Sequence, residues 1–250
     1  MSKILVLDIE TTPNQAFTWG LWQQNVSLNQ LIEVSTVLCW SAKWLGEKKV
    51  HFMGTDKYTH KQMIKGIYDL INEAEAVITY NGKNFDMPTL MREFLLQGFK
   101  PPKPYIDIDL YRTVKNKFKF VSNKLDHVSQ ELGIGMKVEH MGMPLWVECM
   151  AGSKKAWRTM KKYNCQDVKL TEQVYYKLQG WVVSQFNFNT IKDSEQPVCP
   201  NCGSHKLQKR GFIRTSARQY QRYQCQGCGK WSKSTKSDKT QVDKHFVRGV

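Results

Sequence analysis

The sequence predicts a mixed α/β domain followed by a small cysteine-rich domain, and three observations support this division. Apolar strand patterns come first and helical patterns then alternate with strands, which is typical of a mixed sheet covered by helices. With 250 residues, 41% of them hydrophobic, the chain is long enough for one full core and a small appendage. Four of the seven cysteines form two Cys-x₂-Cys pairs near the C-terminus.

Hydrophobic periodicity predicts the elements of the larger domain. An apolar run predicts a strand over residues 3–10, and two more strands, 34–45 and 48–54, flank a turn at Gly46. The remaining pattern predicts, in order, a helix at 60–72, a strand at 74–81, a helix at 86–99, a strand at 104–110, a helix at 124–133 and a longer helix at 153–179. These elements make a mixed five-stranded sheet flanked by helices.

The connection between residues 11 and 33 is long for a loop, and loops of this length are usually functional or carry their own structure. It contains Phe17, Trp19 and Trp22. These rings could stack on nucleic-acid bases or form a local apolar cluster, and the sequence leaves both interpretations open.

Positive charge is concentrated towards the C-terminal end. Residues 197–250 contain 12 Lys or Arg and 2 Asp or Glu, whereas the preceding 196 residues contain 25 and 20. This asymmetry favours a polyanion-binding module, with a solubilising tail as the alternative. Residues 189–197 have the composition of a linker, so we predict one domain at 1–188 and a second domain with a basic tail at 198–250.

The sequence contains no apolar run of about 18 or more residues, and its N-terminus lacks the apolar segment of a signal peptide. We therefore expect an intracellular protein that does not enter a membrane. Cys39, Cys149 and Cys165 lie outside the two cysteine pairs, and in such a protein they are expected to be free thiols.

Two acidic residues stand at the end of the first predicted strand, in the stretch LVLDIETT. Asp8 and Glu10 are two residues apart, so both side chains lie on one side of the strand. Carboxylates are costly to bury unless they are paired. The spacing therefore predicts a bound cation.

Two further segments carry residues of the same chemistry. In YNGKNFDMP, Asn81 is followed by Phe85 and Asp86, directly after a predicted buried strand. In KKYNCQDVKL, Tyr163 and Asp167 have the i, i+4 spacing that places them on one face of a helix.

Together, the three segments resemble the three exonuclease motifs of the DEDD superfamily, in its tyrosine-bearing branch. That branch includes the proofreading domains of family A and family B DNA polymerases. The stretch SNKLDHVSQELGIG also resembles family B exonuclease domains, and the resemblance covers about residues 3–180. It implies a ribonuclease H-like fold and a 3′–5′ exonuclease that releases nucleoside monophosphates.

The resemblance also implies roles for individual residues. Asp8 would bridge two Mg²⁺ or Mn²⁺ ions, Glu10 and Asp167 would hold one of them, and Asp86 would hold the other. Tyr163 would orient the attacking water. Asn81 would seat the terminal nucleotide, and Thr11 and Phe85, next to motif residues, are the other expected substrate contacts. Hard cations prefer carboxylate oxygens, and two such ions can stabilise both the attacking and the leaving oxygen of a phosphodiester.

Each acid also has an ordinary structural interpretation. Asp8 and Glu10 could be solvated strand-end residues, and Asp86 could be a helix N-cap. Asp107 and Asp109 form a rival i, i+2 pair, but neither matches a family metal ligand, so we interpret both as structural or substrate-edge residues. Asp126 is expected to be local and structural.

The C-terminal cysteines predict a zinc ribbon. The pairs Cys199/Cys202 and Cys225/Cys228 are separated by 22 residues, and four thiolates in two knuckles suit one tetrahedral Zn²⁺. So short a segment needs a metal to supply folding energy. His205 could compete as a ligand, but four cysteines already complete a tetrahedral site, so we expect His205 to stay outside it.

The stretch QYQRYQCQGCGK resembles the zinc ribbons at the N-terminus of some insertion-sequence transposition proteins, which bind DNA. Cations and aromatic rings alternate along the arm between the knuckles, as single-strand binding requires. The expected nucleic-acid contacts are Arg210, Arg214, Arg218 and Arg222. The alternative is a ribbon that contacts protein or caps the first domain.

The sequence thus predicts a free-standing 3′–5′ exonuclease acting on single-stranded or frayed 3′ ends of DNA. By resemblance, its expected setting is the cytoplasm of a bacterial or phage-infected cell, with replication, repair or recombination proteins as candidate partners. Three alternatives stay open: an RNA exonuclease, a structure-selective endonuclease and a non-catalytic nucleic-acid-binding adaptor.

Overall fold

The fold was analysed in a computed structural model, which describes residues 3–139, 141–182, 187–190, 196–215 and 218–237. The chain forms two compact units, Met1–Tyr176 and Lys177–Val250. Most of the predicted linker, residues 191–195, and the predicted basic tail beyond residue 237 lie outside the described residues. In the described residues, no helix is long and apolar enough to cross a membrane.

The first unit is built on a five-stranded mixed sheet with strand order β5-β4-β1-β6-β7. β1 runs antiparallel to β4 and parallel to β6; β4 and β5 are antiparallel, and β6 and β7 are parallel. The strands are β1 (Ile4–Thr11), β4 (Val37–Trp44), β5 (His51–Gly54), β6 (Ala76–Thr79) and β7 (Ile106–Asp109), and a separate hairpin is formed by β2 (Gln15–Ala16) and β3 (Leu31–Glu33).

Helices follow the strands in the order that the sequence predicts, with two additions. The predicted helices correspond to α1 (His60–Glu73), α2 (Asp86–Leu96), α4 (Leu125–Glu131) and α6 (Lys154–Leu178). The additions are α3 (Leu110–Lys117) and α5 (Met143–Met150). The mixed five-stranded sheet with flanking helices, a ribonuclease H-like arrangement, is confirmed.

Alternation along β1 separates the core from the acidic residues. Leu5, Leu7 and Ile9 point to one face of the sheet, where they are buried with side chains of α1 and α2. Asp8 and Glu10 therefore point to the opposite face. α6 covers that face, packing Met160 and Tyr163 with residues of β4 and α5.

The second unit contains a three-stranded antiparallel sheet of order β10-β9-β8. Its strands are β8 (Leu207–Arg214), β9 (Gln219–Cys225) and β10 (Trp231–Lys233). Gly203 and Gly229 end the two cysteine knuckles with φ values of 69° and 75°, which favour glycine. Each glycine N–H donates to the carbonyl of the first cysteine of its knuckle, which closes the turn.

Candidate metal centres

Three carboxylates of the first unit converge on one point. One oxygen each from Asp8, Glu10 and Asp167 lie within 4.8 Å of one another, although Asp167 is more than 150 residues away in sequence. β1 supplies the first two and α6 the third. The side chain of Asp167 is buried, and its Oδ1 accepts no hydrogen bond within the described chain. A buried carboxylate oxygen without a partner, beside two more carboxylates, fits a divalent cation.

Asn164 holds α6 against β1 at this point. Its side-chain amide donates to Asp8 Oδ2 over 2.7 Å, and its backbone carbonyl accepts from the hydroxyl of Ser41 on β4 over 2.8 Å. Asn164 and Ser41 are fully buried. Because the amide satisfies one oxygen of Asp8, the orientation of that carboxylate is fixed relative to the helix.

Asp86 approaches the same strand from α2. Its carboxylate Oδ1 accepts from the backbone N–H of Ile9, between the two acids of β1, over 3.1 Å. Asp86 is not one of the three residues within 4.8 Å, yet its charge is the strongest neighbouring contribution to the raised pKa of Asp8. The structure therefore places Asp86 at the margin of the cluster, and Phe85 beside it is 44% exposed.

Burial raises the pKa of each of these acids, and repulsion between neighbouring carboxylates adds to the effect at Asp8 and Glu10. Burial is the largest cause for Asp8, whose pKa rises well above its usual range, followed by the charges of Asp86 and Glu10. Burial and the charge of Asp167 raise the pKa of Glu10 to about 8, and burial raises the pKa of Asp86 to about 7. Burial also raises the pKa of Asp167, against the lowering effect of Lys137. A bound cation would relieve this repulsion.

Lys137 and Tyr163 complete the polar surroundings of Asp167. The Lys137 amine contacts Asp167 Oδ2 directly and lies 3.4 Å from the Tyr163 hydroxyl. Burial, then the charges of Glu10 and Asp167, raise the pKa of Tyr163, so the phenol stays protonated at neutral pH. Trp146 packs edge-to-face on the Tyr163 ring at 6.0 Å between centroids and hydrogen-bonds to Glu10.

The loop that carries Asn81 is held by Asp109. The Asp109 carboxylate accepts from the backbone N–H groups of Asn81 at 2.9 Å and Lys83 at 3.3 Å. Asn81 adopts a φ of 69°, which is uncommon outside glycine. Asp109 therefore makes structural hydrogen bonds, which is one of the two roles expected for it. The rival acid Asp107 lies outside the cluster. Asp126 likewise makes local bonds, to the Gln130 side chain and the Lys137 backbone.

A cavity of about 360 Å³ opens beside this loop. Its lining includes Asp8, Asn81, Tyr80 and Lys137. It therefore joins the acidic cluster to the loop between β6 and α2. Thr11, the remaining predicted contact, lies at the end of β1, where the pairing with β4 shifts register after Glu10.

The aromatic residues that follow β1 are strongly exposed. Phe17 is 75% exposed, Trp19 is 100% exposed and Trp22 is 84% exposed. They belong to the segment that the β2–β3 hairpin brackets. The three rings are therefore not buried together in a local apolar cluster.

In the second unit, four thiols form a cluster of their own. The Sγ atoms of Cys199 and Cys228 are 3.7 Å apart, and those of Cys202 and Cys225 are 3.6 Å apart. A tetrahedral site with Zn–S bonds of about 2.3 Å requires sulfur atoms about 3.8 Å apart, so the cluster fits a zinc ion. Burial raises the pKa of Cys225, but the N–H groups of Cys228 and Gly227 outweigh it and lower that pKa to about 7. His205 is exposed and outside the cluster.

Three of the four arginines of the ribbon, Arg210, Arg214 and Arg222, lie on its sheet, and Arg218 lies in the turn between β8 and β9. Arg210, Arg214 and Arg218 are exposed, and the Arg222 guanidinium lies 4.7 Å from the centroid of the Trp231 ring. Arg222 also donates to the carbonyl of Arg210, and Arg214 donates to the Gln219 side chain. Cationic and aromatic groups thus share one small sheet.

Sequence reasoning missed three residues of the acidic centre. Asn164 lies between Tyr163 and Asp167 within the recognised motif, and its polar side chain at a position facing the sheet was an available signal. Lys137 and Trp146 come from a segment without clear periodicity. Only the tertiary fold brings them to the carboxylates.

Comparison with known proteins agrees with this geometry. Residues 5–179 match the family RNase_H_2, of the RNase_H superfamily, and the chain belongs to this family. Among solved structures, the family B DNA polymerase from the hyperthermophilic archaeon Pyrobaculum calidifontis is similar, with a TM-score of 0.55 and 17% sequence identity. The match covers 71% of this chain but only 24% of the polymerase chain. No protein with a curated description matches the sequence.

Proposed function

We propose that the chain is a metal-dependent 3′–5′ exonuclease of the tyrosine-bearing DEDD type, acting on single-stranded or frayed 3′ ends of DNA. One observation carries this proposal: the oxygens of Asp8, Glu10 and Asp167 lie within 4.8 Å of one another, and the Tyr163 hydroxyl lies beside Lys137, which contacts Asp167. Membership of the RNase_H superfamily supports a nuclease. The order of the three sequence motifs supports the exonuclease type.

The chain's own residues suit hydrolysis of a phosphodiester. Two Mg²⁺ or Mn²⁺ ions at the carboxylates would stabilise the attacking and the leaving oxygen. Asn164 orients Asp8 in advance, and the Lys137 amine balances the charge of Asp167 in the absence of a cation. Asp86, near Asp8, would serve the second ion. Because the Tyr163 phenol keeps its proton, it would orient the attacking water by a hydrogen bond and not remove a proton from it.

The products follow from the bond that breaks. The water oxygen bonds to phosphorus, the bond from phosphorus to the 3′ oxygen of the preceding nucleotide breaks, and that oxygen takes a proton. A nucleoside 5′-monophosphate leaves. The cavity beside Asn81, next to Asp8, would hold the departing nucleotide, with Phe85 and Thr11 as further contacts.

For the second unit, we propose a structural zinc ion bound by Cys199, Cys202, Cys225 and Cys228. The ribbon around it would bind nucleic acid through Arg210, Arg214, Arg218 and Arg222. The described part of this unit buries few apolar residues: Leu178, Val182, Val198, Cys199 and Cys225. A unit with so small a core depends on its metal for folding.

Cleavage of end-labelled oligonucleotides tests the proposal. Single-stranded DNA, duplex DNA and RNA, incubated with Mg²⁺ or Mn²⁺, should show a ladder shortened from the 3′ end of the DNA. Asp8→Ala and Asp167→Ala should abolish the ladder, and the matched control Asp107→Asn, outside the cluster, should retain it. Internal cuts, cleavage of RNA alone, or no cleavage would each overturn the proposal in favour of an endonuclease, an RNA exonuclease or an adaptor.

A further inference from the structure

A basic groove lies outside the acidic cluster, between β5 and α6. Its volume is about 480 Å³. The cations that line it are Lys57, which follows β5, and Lys154, Arg158 and Lys161 on α6. Among the described residues of the lining, Asp56 is the only acid. The four cations are exposed, and no ion pair in the described part of the chain involves any of them. The groove therefore presents a net positive charge that is not neutralised by the described part of the chain.

The floor of this groove is closely packed. Gly54 forms it at the end of β5, and the ring of Trp157 packs so closely that a Cβ on Gly54 would lie 2.6 Å from a ring carbon. The Trp157 indole N–H donates to the carbonyl of Cys149 over 2.9 Å, which fixes the ring. Phe52 forms an aromatic wall, with the Lys161 amine 5.6 Å from its ring centroid. The cations thus surround a pre-formed surface.

Strand register places the groove next to the acidic cluster. Cys39 on β4 pairs with Glu10 on one side and with Gly54 on the other, so the three residues form one row across the sheet. Adjacent strands are about 4.8 Å apart, which puts Gly54 about 10 Å from Glu10. Residues paired across strands point to the same face, and α6 covers that face at both places.

We propose that this groove is a binding site for the phosphates of a nucleic-acid strand whose end lies at the acidic cluster. The inference rests on the proposed function and deepens it. About 10 Å corresponds to at most about three nucleotides, at the 3.4 Å per nucleotide of a stacked strand. A strand with its scissile phosphate at the carboxylates would therefore bring a phosphate within about three nucleotides to Lys161, the near end of the groove. The next phosphates would reach Arg158 and Lys154, which lie about 5 and 10 Å further along α6.

The groove and the cavity at Asn81 lie on opposite sides of the cluster. The first adjoins β5 at the sheet edge, and the second adjoins the loop after β6, on the far side of β1. The departing nucleotide and the remaining strand would accordingly be held on different sides. An acidic protein segment is the competing occupant, but binding such a segment would not require the groove to lie in the same row of the sheet as the acidic cluster.

Binding measurements on the full chain test the proposal without requiring cleavage. We would compare Lys154→Gln/Arg158→Gln/Lys161→Gln with the charge-matched control Lys48→Gln/Lys49→Gln/Lys100→Gln, whose lysines are exposed outside the groove. Both variants would also carry Asp8→Asn. A labelled 12-nucleotide single strand would be titrated and its binding measured by fluorescence anisotropy between 50 and 200 mM salt. Over this range, rising salt measurably weakens binding that depends on phosphate contacts. Melting temperatures verify that both variants fold.

The groove variant should bind the 12-mer at least about tenfold more weakly. The slope of the logarithm of its binding constant against the logarithm of the salt concentration should be less steep by about 2, because each of the three lost phosphate contacts contributes about 0.7 to that slope. The control should keep the wild-type slope. Lys154→Arg/Arg158→Lys/Lys161→Arg, which preserves charge, should restore binding. Equal affinity and slope in the groove and control variants would overturn the proposal, as would loss of poly-L-glutamate binding with oligonucleotide binding intact.

Cleavage with Asp8 restored separates this proposal from the proposed function. In the groove variant, kcat/KM for a 12-mer relative to a trimer should fall about tenfold, whereas the control should keep the ratio. If the wild-type chain cleaves nothing yet the anisotropy result holds, the proposed function fails and the groove stands. If cleavage occurs and the ratio is unchanged, the groove proposal fails alone.

Discussion

The two candidate metal-binding clusters gather like charges by opposite means. In the first unit, three carboxylates are positioned by a sheet and a 25-residue helix around a large apolar core. In the second, four thiols are positioned by two short knuckles, and the described residues there bury only a handful of apolar side chains. The first scaffold does not need a metal ion to form, whereas a metal ion would be part of the second scaffold.

This comparison predicts that loss of ligands has different consequences in the two units. A missing carboxylate should remove activity and leave the fold, because the core of the first unit does not depend on it. A missing thiolate should remove the fold of its unit.

Asp167→Asn should give the largest effect on activity. The amide keeps the shape of the side chain but removes the charge that would hold a cation, so kcat/KM should fall by about 10³-fold or more, about 4 kcal/mol of the barrier. The melting temperature should stay the same or rise, because one source of buried repulsion disappears. Single-turnover cleavage and thermal unfolding measure the two quantities. A large drop in melting temperature would instead show that the fold of the first unit depends on its acids.

Cys202→Ser should unfold the second unit. We expect the zinc content, measured by mass spectrometry, to fall from one ion per chain, and the amide protons of residues 207–233 to lose protection from exchange. Cys165→Ser is the matched control, because Cys165 is outside the cluster and should leave both readouts unchanged. Retained protection in the Cys202 variant would show that the ribbon folds without its metal.

Asp109→Ala should have an intermediate effect on the first unit. The loop at Asn81 would lose the acceptor of two backbone N–H groups, so we expect KM for a single-stranded substrate to rise by about tenfold with a smaller change in kcat. Steady-state kinetics with Asp107→Asn as control measures this. A fall in kcat alone would instead place Asp109 among the groups that act on the reacting atoms.

The metal-free first unit should lose stability as pH rises, and added metal should counter that loss. In the metal-free first unit, the pKa of Glu10 is raised to about 8 and that of Asp86 to about 7. The folded state therefore binds more protons than the unfolded state, and stability should fall as pH rises from about 4.5 towards 8. The melting temperature should drop by about 2–4 °C for each kcal/mol lost.

Added Mg²⁺ binds the ionised carboxylates, so its stabilising effect should grow over the same pH range. Thermal melts at pH 5.5 and 8.5, with and without Mg²⁺, test both signs. A metal-free chain that becomes more stable with rising pH would contradict the buried, mutually repelling arrangement.

Lys137→Ala should give the smallest effect. Its amine lies against Asp167 and repels an incoming cation, so the Mg²⁺ concentration for half-maximal activity should decrease a few-fold. Activity titrated against Mg²⁺ measures this, with Lys124→Ala, which lines the same cavity, as the control. An increase in the required Mg²⁺ would mean that Lys137 helps to shape the site.

The sequence predicted the order of the main elements because β1, β4, β6 and α6 have clear periodicity. It missed α3 and α5, whose segments are short and whose apolar residues have no extended pattern. The short strands β2 and β3 were left within one long loop for the same reason. The predicted boundary at residues 189–197 stays a prediction, and the compact units divide after Tyr176.

The candidate site was predictable where its residues belong to short motifs. Asp8 and Glu10 share a strand, and Tyr163 and Asp167 share a helix turn, so local spacing alone places each pair on one face. Lys137 and the basic groove could not be predicted, since both depend on how α6 crosses the sheet. Whether Asp86 joins a metal site also depends on tertiary geometry, and its bond to Ile9 places it at the margin.

Anomalous scattering from a crystal soaked in Mn²⁺ would show whether the three carboxylates bind a metal ion. We expect a manganese peak bounded by the carboxylates of Asp8, Glu10 and Asp167, and we expect the Asp8→Asn protein to lack it. Data showing the three side chains ordered around no peak at saturating Mn²⁺, or manganese bound only elsewhere on the chain, would contradict this expectation.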